Sequence, residues 1–399
     1  MNIGVLTVSS AWGGAEIHSV ELVRTLTERG HTATLVCLTQ SAFDEHRARV
    51  GNAIPLACLP IPKPWAKMGF VDWLRLFAAQ SWDACVLIKG ELHSGGGWAI
   101  DLAARYRFGR YLVLEQKNAG PIHPKNSRRH FGFIPGVGLW WYAEHVRRWL
   151  RSVGPRKVVC VSDENRQRLV EAHGFPARKV VTVRNGIDPQ RFQRDPAHAD
   201  TWRRRWGISA GALVFGAIGR LAPLKGYATA LTAFQELLTR CPERDVRLVL
   251  VGEGPLEAAL KAQADAIVPG GRVVFAPFCE RPWEVLSAFD VFVMPSVNEG
   301  LPLALAEAMA CGCCPVATAV GGIPELISRQ ELGWLVPARD TEAFAAAMID
   351  AASSSSEQRA SMGRRAREHV LADFNAAIQF NLLANHIEAL GRVEHIAAV

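Results

Sequence analysis

No stretch of this 399-residue chain is apolar for the roughly 18–20 consecutive positions a membrane span requires. The opening Met1-Asn2-Ile3-Gly4-Val5-Leu6-Thr7-Val8 lacks a basic lead and reads as a strand, not a secretion signal. The nine cysteines are an odd number, scattered through strand-like and helix-like runs. They make no disulfide framework and fit reduced thiols in a cytoplasm. Cys311, Cys313 and Cys314 stand close together, but no His/Cys cluster accompanies them, so packing is expected there instead of metal binding. The chain has no G-x-G-x-x-G, which argues against a dinucleotide-dependent dehydrogenase, and no Asp-x-Asp metal motif. Charged residues make up only 21% against 49% apolar ones, which argues against extended disorder.

What is present is enough apolar sequence for two cores, and the length calls for two domains. In the first half, β-rich apolar runs fall at 3–8, 33–38, 84–88, 111–115, 157–161 and 180–183. Helical patterns lie between them, clearest at 15–29, where Ile17, Val20, Leu22, Val23 and Leu26 are spaced for one buried face. Such alternation predicts a parallel sheet with helices on both sides. Asn185-Gly186-Ile187-Asp188-Pro189 interrupts it with turn chemistry, and a polar stretch over 195–205 follows. The alternation then restarts, with strands expected at 213–219, 246–251, 272–275, 291–295 and 315–318. The expected class is therefore α/β, with Rossmann-like domains over 1–190 and 191–373. A helical stretch over 374–399 could pack back on the first domain. The serines at 353–356 read as a surface loop.

Net charge is +7, unevenly spread. Between Arg105 and Lys157 twelve basic residues face only Glu115 and Glu144, so that segment carries +10 and the rest of the chain −3. A local basic face suits an anionic partner. The same segment contains Trp140, Trp141, Tyr142 and Trp149. Rings beside cations are what an interfacial anchor needs. The alternative is that the tryptophans are core and the cations solvate it.

Several strand ends run into glycine, where α/β folds bind ligands. Gly13-Gly14 opens a helix after the first strand and can let backbone N–H groups approach an anion. Arg220 and Lys225 lie on the loop after a strand, and two such cations can clamp a diphosphate. Within 298–312, Glu299 precedes a helix started near Pro302, and Glu307 lies in its second turn. The two carboxylates are about 10 Å apart on that reading. Between them lies a helix N-terminus with free N–H groups. A nucleotide-sugar suits this layout: one Glu at sugar hydroxyls, amides at the diphosphate, the other Glu at ribose. Leu303, Leu305, Ala306 and Met309 surround Glu307, so it should be partly buried and need a partner.

With these residues in order, the chain resembles the large E-x7-E glycosyltransferase family of the GT-B fold (glycosyl transferases group 1, family 4). Further landmarks are Gly13-Gly14-Ala15-Glu16, Ser162-Asp163, Asn185-Gly186-Ile187-Asp188, Gly252-Glu253-Gly254-Pro255 and Gly321-Gly322-Ile323-Pro324-Glu325. The resemblance implies two Rossmann-like domains facing across a cleft and retaining transfer from a UDP- or GDP-linked sugar. Arg220 and Lys225 would neutralise the diphosphate. Gly14, beside Gly13, would add an amide from the opposite domain. Glu299 would hold the sugar near the amides of Gly300, Leu301 and Leu303, and Glu307 the ribose. No metal or other cofactor would be needed. The family often places a His after the fourth major strand of the first domain. This chain has Glu115 and Gln116 there and His123 farther on, and any of the three could stand in.

A sugar-nucleotide epimerase, or a non-catalytic nucleotide-sugar-binding protein, could use the same fold. Arg220, Lys225 and Glu299 together argue against the second. A nucleic-acid partner would explain the basic stretch but not the ordered motifs, and is not expected. The acceptor implied is a saccharide or lipid-linked saccharide of cell-envelope, exopolysaccharide or lipopolysaccharide synthesis. The expected location is cytoplasmic, peripheral on the inner face of the membrane, through the basic and aromatic residues 105–157.

Overall fold

In a computed structural model the described residues are 1–7, 14–59, 61–62, 67–89, 97–115, 154–268 and 270–392. They form two compact units: Met1–Arg184 with Ile378–Val399, and Asn185–Ala377. The chain therefore passes to the second unit at Arg184/Asn185, ahead of the 190/191 division expected from the turn residues.

The first unit holds a seven-stranded sheet in the order β3-β2-β1-β4-β5-β6-β7, and every pairing in it is parallel. Its strands are β1 (Asn2–Thr7), β2 (Thr32–Cys37), β3 (Leu56–Cys58), β4 (Ala84–Lys89), β5 (Tyr111–Glu115), β6 (Lys157–Cys160) and β7 (Val180–Thr182). β1 and β4 are buried almost throughout, because a parallel sheet is covered on both faces. The helix Gly14–Glu28 buries Val20, Leu22, Val23 and Leu26, whereas Ile17, expected on that face, is 40% exposed. His18 takes the inward position instead, packed at a tilt against Phe380 with centroids 4.7 Å apart.

The helix Ala376–Arg392 joins this unit from Ile378 onward. Arg29 forks onto it, with bonds of 2.8 Å to Glu388, 2.8 Å to Asn381 and 2.7 Å to Asn385. His31 adds a 3.0 Å contact with Glu388. The Arg29 and His31 bonds hold the Glu388 carboxyl down at about 2.

The second unit has a six-stranded parallel sheet in the order β10-β9-β8-β11-β12-β13. These strands are β8 (Leu213–Ile218), β9 (Val246–Val251), β10 (Val273–Ala276), β11 (Val291–Met294), β12 (Cys314–Thr318) and β13 (Trp334–Val336). One core lies between this sheet and the helices Tyr227–Arg240 and Thr341–Ser353, centred on Phe215, Phe234, Leu248 and Phe344. The serine run is not a plain loop. Ser355 caps the helix Ser356–Asp373 in a reciprocal box with Gln358, one residue after Ser354 ends the preceding helix. Cys311, Cys313 and Cys314 are buried, and no described group of side chains could hold a metal ion. In both orders the sequence reverses direction across the sheet beside the first strand of the unit, the position where open α/β sheets bind ligands beyond the strand C-termini.

Candidate active site

The candidate groups of the second unit sit on loops leaving β8 and β11, which are neighbours in the sheet. After β8 the chain forms a single tight turn over Pro223–Lys225 and enters the helix Tyr227–Arg240 through Gly226. Gly226 has φ 68°, and a Cβ there would lie 2.0 Å from the carbonyl oxygen of Pro295. Only glycine lets the two loops touch at that point. The Val297 amide then donates to Leu224 O at 2.9 Å, fastening one loop to the other.

The fastening brings together residues that are far apart in sequence. Lys225 Nζ lies 2.7 Å from Glu299 Oε1, and Ser296 Oγ donates to the same oxygen at 2.7 Å. Oε2 accepts nothing from the described residues. Ser296 is fully buried, and its carbonyl accepts from Thr318 Oγ1 at 2.5 Å. Arg220 is exposed on the same loop as Lys225 and makes no ion pair among the described residues. Tyr227 is buried close by. Burial and then the Glu299 charge push its hydroxyl above the usual phenol range.

The loop 299–302 leads into the helix Leu303–Ala310, with Pro302 at the N-cap, one position earlier than the first-turn placement expected. Pro302 makes no side-chain cap, and its carbonyl accepts from Ala306 N at 3.3 Å. The amides of Gly300, Leu301 and Leu303 form no hydrogen bond with a described residue. Together with the positive end of the helix they form a donor-rich opening beside Glu299. Gly300 O accepts from Gly322 N at 2.5 Å, and Leu301 O from the side chain of Asn185 at 2.9 Å.

Glu307 lies on the same helix, among the buried Leu305, Ala306 and Met309. Burial pushes its carboxyl up to about 7, and the Arg191 charge opposes that only in part. No hydrogen bond or ion pair with a described residue engages it. The sequence called for a partner, and none is supplied among the described residues.

In the first unit, Gly14 is the first residue of its helix, while Gly13 lies outside the described residues. Behind Gly14 the buried Glu16 accepts from Thr7 Oγ1 at 3.4 Å. Glu115 ends β5, with its side chain outside the description, as are Gln116 and His123. The sequence reading did not single out Ser296, Thr318 or Tyr227. A serine three residues before a glutamate is too common to stand out without the loop geometry.

Residues 198–369 match the family described as Glycosyl transferases group 1, and residues 12–191 match Glycosyltransferase Family 4. The amylovoran biosynthesis glycosyltransferase AmsK of Erwinia amylovora is 30% identical over 74% of this chain and 69% of its own length. The D-inositol 3-phosphate glycosyltransferase of Rhodococcus jostii is 32% identical over 50% of this chain and 46% of its own. For most of the leading curated relatives the chain spans about half of their length. Among solved structures, that of Anabaena HepE in complex with UDP superposes with a TM-score of 0.77 at 20% identity. It covers 98% of this chain and 100% of that one. That breadth assigns the GT-B fold. With both halves matched and AmsK aligned over most of its length, the chain belongs to the group 1/family 4 glycosyltransferases.

Proposed function

We propose that this protein transfers a sugar, with retention of configuration, from a nucleotide-sugar to a saccharide or lipid-linked saccharide of an envelope or exopolysaccharide pathway. One observation carries the reading: Glu299, three amides that no described residue engages, and Glu307, for which no described residue is a partner, share one loop and helix, and the neighbouring loop brings Lys225 onto Glu299. Glu299 Oε2 suits sugar hydroxyls, and the amides suit phosphate oxygens. Lys225 and Arg220 neutralise the charge that grows on the departing diphosphate. Glu307 takes the ribose hydroxyls as its missing partners. The leaving phosphate accepts the acceptor's proton, so no carboxylate pair of the glycosidase kind is required. Fixed cations and helix amides serve in place of a metal. UDP and UDP-glucose are bound in the structures of Anabaena HepE, which favours a UDP-sugar over a GDP-sugar as donor.

The acceptor side rests on charge. Arg105 and Arg156 both donate to Gly109 O, at 2.7 and 2.9 Å, and Lys179 donates to Pro155 O at 3.2 Å. Burial and then Arg105, Arg178 and Arg156 pull the Lys179 ammonium below its usual range. These cations crowd the N-terminal ends of β5, β6 and β7, and Tyr106 stands 77% exposed beside Phe70. An anionic lipid surface relieves that crowding and takes the ring at headgroup level. The lipid-linked acceptor would then be met at the membrane face. Among the described residues no helix is long and apolar enough to cross a membrane.

Screening nucleotide-sugars by thermal shift tests the donor. A ligand at 100 times its dissociation constant adds about 2.7 kcal/mol. No stabilisation by any UDP- or GDP-sugar removes the proposal.

A further inference from the structure

Asn185 is the first residue of the second unit, and the place where the chain enters it is fixed by backbone. Ile187 N donates to Phe374 O at 2.7 Å, and Ala376 N donates to Ile187 O at 3.0 Å. The incoming and outgoing segments thus form an isolated parallel bridge. Gly186 permits the approach, since a Cβ there would lie 2.3 Å from Ala376 Cα. Asn185 therefore has little freedom, and its side chain is 4% exposed.

From that fixed point the carboxamide reaches a residue 116 positions away: Nδ2 donates to Leu301 O at 2.9 Å. The orientation of the amide is unambiguous, because a carbonyl acceptor requires the NH2 end. Oδ1 is then buried with no partner among the described residues.

What the bond does follows from peptide geometry. In a trans peptide the C=O and the N–H point in opposite directions. Gly322 holds Gly300 O, so the Leu301 N–H on that peptide is aimed away from Gly322. Asn185 holds Leu301 O, which fixes the next peptide, the one carrying Pro302 into the helix. The two anchors hold consecutive peptides in the middle of the 300–303 segment, one of them carrying the Leu301 N–H. One of the anchors is the first residue of the second unit.

We propose that Asn185 is a positioning residue for the donor: it locks the Leu301–Pro302 peptide to the inter-unit crossing, so that the 300–303 amides face the donor's β-phosphate and sugar. This rests on the nucleotide-sugar reading above. The role is specific to the part of the ligand that those amides meet. A nucleoside monophosphate, which reaches only the Glu307 end, is indifferent to it.

The experiment compares wild type, Asn185→Asp and Asn185→Ala by calorimetric titration with the donor that stabilises the wild type, and with the matching nucleoside monophosphate. Melting curves accompany each titration. At pH 8 the aspartate variant should bind the nucleotide-sugar about tenfold more weakly, the worth of one hydrogen bond, with monophosphate affinity unchanged. As pH falls, the buried carboxyl protonates and can again donate to Leu301 O. The ratio of variant to wild-type affinity should then return toward one, while the alanine variant shows no recovery. Equal affinities for wild type and both variants, or equal losses for donor and monophosphate, overturn the proposal. If Asn185→Ala does not fold, the pH recovery of Asn185→Asp alone decides. A wild type that binds no nucleotide-sugar fails the functional reading instead, and does so before any variant is measured.

Discussion

Lys225 and Glu299 are ion-paired at 2.7 Å although they lie 74 residues apart on different loops. Lys225 is the more exposed partner, at 28% against 10% for Glu299. The pair is screened on one side only. Its worth lies in placing a cation beside the carboxylate proposed to hold the sugar more than in stability.

Removing that cation should therefore cost turnover. Lys225→Ala and Arg220→Ala are each expected to lower kcat by about 100- to 1000-fold, the loss typical of a transition-state electrostatic contact. Initial rates with saturating donor measure it. Unchanged turnover in the double variant would count against both assignments.

Glu307 makes the pH dependence explicit. Its carboxyl titrates at about 7 because burial disfavours the charge. Ribose hydroxyls donate to the ionised form, so donor affinity should rise with pH up to about 7 and level off above, by at most tenfold per unit. Stability should run the other way. The folded state holds this proton more tightly than the unfolded chain, so the cost appears above the ordinary carboxylate range and grows as pH rises through 7. Glu307→Gln should thus bind donor weakly at every pH, yet melt no lower than wild type at pH 8. Titration calorimetry and melting curves at pH 5 and pH 8 separate the two effects.

Gly226→Ala should disable the site without touching a charged group. The added Cβ overlaps Pro295 O, and φ 68° is strained for alanine. The expected outcome is about 1–3 kcal/mol of lost stability, with activity falling as far as in Lys225→Ala. An active, normally melting variant would show that the two loops are not locked together.

With Arg220, Lys225 and helix amides at the diphosphate, as proposed, no metal should be needed. Activity should survive exhaustive EDTA treatment. Strict dependence on added Mn²⁺ or Mg²⁺ would contradict the mechanism.

Membrane attachment should be electrostatic. Vesicles containing anionic lipid should sediment the protein at low salt and release it at high salt. Replacing Arg105, Arg156 and Arg178 together should weaken binding by about 1 kcal/mol per residue. Equal binding to neutral vesicles would contradict the charge argument.

Periodicity and glycine placement in the sequence determined most of the α/β architecture. Long buried strands such as β1, β4 and β9 announce themselves, because a strand covered on both faces must be a continuous apolar run. The three-residue edge strands β3 and β13 do not, being too short and too partly exposed to carry a pattern. The spacing of Glu299 and Glu307, with Arg220 and Lys225 upstream, was likewise open to reading, since the spacing within one loop and helix is set by local geometry. Tertiary structure alone decided that Lys225 meets Glu299, that Ser296 shares its oxygen, and that His18 replaces Ile17 on the inner face. It also decided that Asn185, a turn residue by composition, is a strut under Leu301. Each of these is a contact between segments far apart in sequence. Their register depends on how β8 and β11 come to lie side by side, and no window of sequence contains both.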